Sequence, residues 1–229
     1  MNFIRIAMIT LMFVSTTSHA GGVALGATRV IYDGSKKETS LTVQNKSAKE
    51  EFLIQSWIDD ASGSKKTPFI ITPPLFKLDP AKNGVLRIVN IDGSALPKDR
   101  ESLFWVNVKS IPARSEENAS SNVLQIAVRT RLKLLYRPEG LKGDVNSAAK
   151  ALKFSNAGNQ LHIENATPFN ITFNKFSING KAIDKVSVVP PKGSVNLTLP
   201  AGISSANEVN YTIINDFGTS GEKFTAKVN

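Results

Sequence analysis

Few side chains in this 229-residue chain have both the type and the spacing for chemistry. Of its two histidines, His19 lies in the apolar N-terminal stretch and His162 lies within QLHIEN. The alternation around His162 reads as a strand, where a lone histidine is solvated or hydrogen-bonded and does not serve as a base or ligand. Glu50-Glu51 and Asp59-Asp60 are carboxylate pairs, but adjacent residues on a strand point to opposite faces. They read as solvated edges, not as an acid–base dyad. The chain has no cysteine, which excludes thiol catalysis and thiolate metal sites. No G-x-S-x-G, H-E-x-x-H, G-x-G-x-x-G or phosphate-loop pattern occurs. No metal site, cofactor or ATP is implied, and the chain reads as a binding protein, not an enzyme.

The remaining chemistry is cationic. In NVLQIAVRTRLKLLYRP (122–138), Arg129, Arg131 and Lys133 alternate with Val128, Thr130, Leu132 and Leu134, and the apolar series extends back through Ile126 to Leu124. This is strand periodicity. At about 3.3 Å per residue the stretch would run roughly 45–50 Å, against about 17–20 Å for an ordinary strand. One small sandwich cannot cover it, so part of its apolar face must pack against something else.

The start, MNFIRIAMITLMFVSTTSHA, has one cation, an apolar run from Ile6 to Val14, and small residues at Ser18 and Ala20. It reads as a secretory signal over residues 1–20, too short in its apolar part to span a bilayer. No later segment is apolar enough to cross a membrane, so the product is expected to be soluble and exported. Formal charge is +9, and removal of residues 1–20 takes away Arg5 and no acid. A basic balance suits nucleic acid, an acidic surface or a carboxylate-bearing partner; export argues against nucleic acid.

The rest of the chain is a series of short alternating runs with no convincing amphipathic helix. Strands are expected at 27–33, 39–45, 51–59, 83–90, 103–111, 151–156, 160–165, 171–178, 185–189, 194–199 and 209–216, separated by turn signals such as Asp33-Gly34, Ser62-Gly63 and Asn179-Gly180. LTVQNKS (41–47) resembles LHIENAT (161–167), and a proline pair precedes a strand in each half, Pro73-Pro74 and Pro190-Pro191. RPEGLKG (137–143) reads as a linker, giving two sandwiches, 21–139 and 140–229. Asn45-Lys46-Ser47 and Asn165-Ala166-Thr167 match the glycosylation sequon, a pattern common by chance.

Taken in order, ATRVIYDG (27–34), ITPPLFKL (71–78), LPKDRESLFWVNVKSIP (96–112), NVLQIAVRTRLKLLYRP (122–138) and YTIINDFG (211–218) resemble the periplasmic pilus chaperones of the chaperone–usher pathway. The resemblance spans essentially the whole chain after residue 20. It implies an all-β protein of two immunoglobulin-like domains set at an angle around a cleft, acting as a monomer in the periplasm. Its partners would be pilin subunits, stabilised by strand donation, and an outer-membrane usher. The short segment ARSEENASSN (113–122) and the absence of a cysteine pair resemble the short-loop subfamily.

The resemblance also assigns residues. Leu124, Ile126 and Val128 match the donated apolar residues, and Arg29 and Lys133 match the pair that holds the subunit's terminal carboxylate. Glu101, Arg137 and Asp216 match an interdomain ionic link, and Thr72-Pro73 matches a cis bond of relatives. Without the resemblance, Arg29 and Lys133 would read as ordinary solvated strand cations. Phe104, Val106, Leu132 and Leu134 are expected in the core. The alternative is a secreted carbohydrate-binding sandwich, which would need a solvent-facing aromatic cluster built on Trp57 and Trp105.

Overall fold

The structure, a computed structural model, describes residues 21–113 and 124–229. The signal segment 1–20 and most of the segment 113–122 lie outside the described residues. Alternation decides the first half. In β4 (Phe52–Asp59), Phe52, Ile54 and Ile58 face inward, and in β7 (Asn83–Asn90) Leu86 and Ile88 are fully buried. With β1 (Val23–Leu25), β3 (Glu38–Asn45) and β5 (Phe69–Thr72), β7 forms one sheet in the order β1-β3-β7-β5. The second sheet joins β2 (Arg29–Asp33), β9 (Val128–Arg137), β8 (Ser102–Pro112), β4 and β6 (Leu75–Leu78) in that order. Tyr32, Phe69, Phe104 and Tyr136 meet between the sheets with ring centroids 5.0–5.9 Å apart. Phe104, Val106, Leu132 and Leu134 lie in this core, as expected.

The second half is a smaller sandwich. It opens with α1 (Val145–Lys150), whose first amides are capped by Asp144 and whose Val145, Ala148 and Ala149 are buried. The sequence pattern predicts no helix here, because six residues are too few to show a helical period. One sheet is β10 (Lys153–Ala157), β11 (Gln160–Asn165) and β14 (Gly193–Thr198). The other has the order β13 (Lys181–Ala182), β12 (Phe173–Ile178), β15 (Glu208–Ile214), β16 (Ser220–Lys227). Phe154, Phe176, Tyr211 and Phe224 stack in its core.

Two expected strands are revised. Residues 185–189 form no strand: Val189 alone bridges to Ile171, and Pro190, lacking an amide hydrogen, cannot extend the ladder. The long strand at 122–138 begins at Val128, because its pairing with β8 ends at Ser110–Val128; Leu124 to Ala127 have no strand partner. Thr72-Pro73 is cis.

The internal repeat is genuine, with a corrected register. Asn45 ends β3 and donates to the carbonyls of Glu50, Leu78 and Asp79, while its Oδ1 accepts from the Ser47 amide at 2.9 Å. Asn165 ends β11 and donates to Phe169, Val189 and Pro190, while its Oδ1 accepts from the Thr167 amide at 3.0 Å. In each half a residue at positive φ, Ala81 (54°) or Lys192 (50°), donates back to the carbonyl of Ser47 or Thr167 at 2.9 Å. Asp79-Pro80, not Pro73-Pro74, is therefore the counterpart of Pro190-Pro191. Both asparagines are buried tethers for loops, not surface acceptors for sugar.

Candidate functional site

β2 runs parallel to β9 and places Arg29 directly beside Lys133. The same rung continues through Trp105 on β8 to Asp59 on β4. Cross-strand neighbours share a face, so these four side chains stand on the side of the sheet away from the core. The second sandwich covers one end of that face. The Arg29 side chain donates from Nη1 to the Ile214 carbonyl at 3.0 Å, and Lys133 Nζ donates to Thr172 Oγ1 at 3.0 Å. Arg29 is 7% exposed, and its Nε is buried without a hydrogen-bond partner. Among the described residues neither cation forms a salt bridge with any carboxylate. Burial, with the Arg29 charge adding to it, pulls the Lys133 ammonium down to about 8. Burial likewise pushes Arg29 down, opposed by the charges of Asp216 and Glu101.

Four residues along β9 the situation reverses. Arg137 donates from Nε and Nη2 to Glu101 Oε1 at 2.9 and 2.8 Å, and from Nη1 and Nη2 to Asp216 at 2.8 and 2.9 Å. Glu101 Oε2 accepts from the Asn170 amide at 2.8 Å, so one buried carboxylate ties β9 and the second sandwich together. Burial would lower the Arg137 pKa, but the Asp216 hydrogen bonds and the Glu101 charge outweigh it and hold it above its ordinary value. The three residues matched to an ionic link thus meet in one network.

Upstream of Lys133 the edge of β9 is open. β2 pairs with it only over 133–137, so among the described residues 128–132 have no strand neighbour on that side, and 124–127 have no strand neighbour on either. On this segment Leu124, Ile126 and Val128 are 84, 66 and 56% exposed.

The remaining candidates resolve as structure. Asp59 is not a solvated edge: it is buried and pairs with Arg131 at 2.8 Å and Arg129 at 3.8 Å. Sheet register brings Arg131 and Arg129, 72 and 70 residues away, against it, which sequence cannot display. Asp60 accepts from the Ser62 and Ser64 amides in a turn, and Glu51 pairs with Lys77. His162 Nδ1 lies 2.7 Å from Asn196 Oδ1, a satisfied strand histidine. Arg129 and Lys65 lie over the Trp57 ring, and Arg131 lies 4.3 Å from the Trp105 ring centroid, so both indoles have cations against them. Thr172, Ile214 and Trp105, which surround the unpaired cations, were missed as site residues; Trp105 and Ile214 lie within the motif blocks at 96–112 and 211–218, and Thr172 carried no signal.

Two sequence profiles match the chain: residues 22–142 match "Pili and flagellar-assembly chaperone, PapD N-terminal domain", and residues 147–225 match "Pili assembly chaperone PapD, C-terminal domain". The chain belongs to the pilus-assembly chaperone family. It is 62% identical to the probable fimbrial chaperone LpfB of Escherichia coli O157:H7, over 97% of this chain and 96% of the relative. It is likewise 62% identical to the chaperone protein LpfB of Salmonella typhimurium, over 96% and 95% of the two chains. Among solved structures, the fold matches that of the Salmonella enterica SafA pilin in complex with the SafB chaperone, with a TM-score of 0.82 and 34% identity over 90% of this chain and 96% of that one. The periplasmic chaperone SfaE matches with a TM-score of 0.77 and 40% identity over 90% and 99%. This protein is accordingly a two-domain, immunoglobulin-like fimbrial chaperone, not an enzyme.

Proposed function

We propose that the chain captures pilin subunits in the periplasm, after removal of residues 1–20, and passes them to an outer-membrane usher, with residues 21–139 donating the strand and 140–229 closing the site. One observation carries this: two cations, Arg29 buried and Lys133 half-buried, with no carboxylate partner among the described residues, stand at the point where β9 loses its β2 neighbour, directly downstream of three exposed apolar residues. A partner strand entering the open edge would continue the line of β2, run parallel to β9, and end at the Arg29–Lys133 rung. Its terminal carboxylate would meet a guanidinium fork and an ammonium. Leu124, Ile126 and Val128, two residues apart, would share one face and enter the apolar groove of a sandwich that lacks a strand. The Glu101–Arg137–Asp216 network would fix the orientation of the two domains. Release would follow when another strand replaces the donated one.

The test is Ile126→Asp. A charge cannot enter an apolar groove without a partner, so periplasmic co-purification of subunits, read by mass spectrometry, should be lost while thermal melting stays at the parent value. Loss of folding would place Ile126 in the chaperone's own core and sink the donor assignment.

A further inference from the structure

Phe217 is 90% exposed, more than any other large apolar side chain among the described residues, and it sits on a turn that is unusually well fastened. Asn215 Oδ1 accepts from the amides of Phe217 and Thr219, both at 3.1 Å, and the Asn215 amide donates to the Thr219 carbonyl at 3.0 Å. Asp216 is held by Arg137. Gly218, at φ 79°, lies so close to β2 that a Cβ there would fall 1.9 Å from Thr28 Oγ1. The backbone of the turn is therefore held in place while its aromatic ring stands in solvent. It is also tied to the unpaired cations, because Ile214, three residues before Phe217, bonds Arg29, and Thr28 immediately precedes Arg29.

We infer that Phe217 is a specificity contact: it packs against the apolar side chains at the very end of the captured subunit strand, beside the carboxylate held by Arg29 and Lys133. This rests on the carboxylate reading above. A strand that continues the line of β2 must end next to Thr28, and the Phe217 turn abuts Thr28. The occupant is thus an apolar chain terminus. A ring carried on a fastened backbone has only its two side-chain torsions to lose on contact, and an aromatic contact with an apolar group adds to plain area burial. Phe217 would favour subunits ending in aromatic or large aliphatic residues over those ending in small or polar ones.

The experiment is a binding cycle with the full-length mature chain. The probes are three synthetic peptides of alternating apolar residues: one ends in Leu-Phe with a free carboxylate, one in Ala-Ala with a free carboxylate, and one in Leu-Phe amide. Phe217→Ala should weaken the Leu-Phe peptide about five- to tenfold and leave the Ala-Ala peptide unchanged, whereas Phe217→Leu should retain most of the affinity. Thermal melting should be unaltered, since the ring contributes nothing to the core. Equal loss for both free-acid peptides, or loss for neither, overturns the contact while leaving the anchor intact if amidation still abolishes binding. If amidation changes nothing, the anchor fails and this inference falls with it.

Discussion

Two sites on the same pair of strands handle buried positive charge in opposite ways. Arg137 meets Glu101 and Asp216 through four hydrogen bonds, while Arg29 and Lys133, one strand turn away, are given only a carbonyl and a hydroxyl. Removing a cation from water is costly unless an anion replaces the lost hydration. The first site is complete within the chain and works as a fastener. The second is electrostatically unfinished, and its open edge shows from which side an anion can arrive. The difference separates a charge kept for architecture from one kept for a partner.

That contrast can be broken from the architectural side. Glu101→Gln would leave Arg137 with Asp216 alone and weaken the link to Asn170, and losing one member of a buried pair costs about 3–5 kcal/mol. We expect the lower end of that range, because Asp216 remains, read as a fall in the urea midpoint. Asp216→Asn should cost less, about 1 kcal/mol, since Asp216 is more exposed. Equal and negligible effects would mean that the network is ornamental.

The opposite change at the partner-facing site should have the opposite sign. Lys133→Met removes a partly buried cation that has no anion, and should leave the unloaded chain unchanged or stabilise it by about 1 kcal/mol, roughly a 2–4 °C rise in Tm. The same variant should lose subunit binding. A variant that lost both stability and binding would make Lys133 structural and erase the contrast.

A smaller effect is expected from pH. Lys133 sits at about 8 in the folded chain against 10.5 for an ordinary lysine. Between those values the unfolded chain binds a proton that the folded chain does not, so stability rises with pH across that window. Below about 8 both states are protonated and the slope from this group vanishes. Carboxylate binding should run the other way: flat below about 8 and weaker above it as the ammonium is lost. Lys133→Met should abolish the stability slope, as measured by urea midpoints from pH 7 to 10.

How much of this could be read in the sequence depends on the range of the interactions involved. The core strands β3, β4, β7, β8 and β11 were legible because each buries alternate residues on one face. β16 was not, since Phe224 is its one buried side chain, and β5 and β6 are short and split by Pro73-Pro74. The alternation of Leu124, Ile126 and Val128, and the excess length of their segment, were visible from periodicity alone. The roles of Arg29 and Lys133 came through resemblance, because the facts that set them apart are long-range. The bonds that Arg29 and Lys133 donate to Ile214 and Thr172 reach across 185 and 39 residues, and the lack of an acid beside the two cations is apparent only once the sheet is assembled. Asp59 escaped for the same reason: its cations arrive through sheet register, not sequence proximity.

The central claim is that the anion missing beside Arg29 and Lys133 is the terminal carboxylate of a captured subunit. The direct measurement is subunit affinity for the parent chain, Arg29→Ala, Lys133→Ala and the double variant, each against a subunit with a free and with an amidated C-terminus, at low and high salt. Truncating one partner of a desolvated charge pair costs about 2–5 kcal/mol, so each single variant should bind roughly 30- to several-thousand-fold more weakly at both salt concentrations. The double variant should be little worse than either, because both residues act on one carboxylate. Amidation should mimic these losses in the parent chain and add almost nothing in the variants. If the amidated subunit binds Lys133→Ala much more weakly than the free-acid subunit does, the carboxylate is held elsewhere and the account is contradicted.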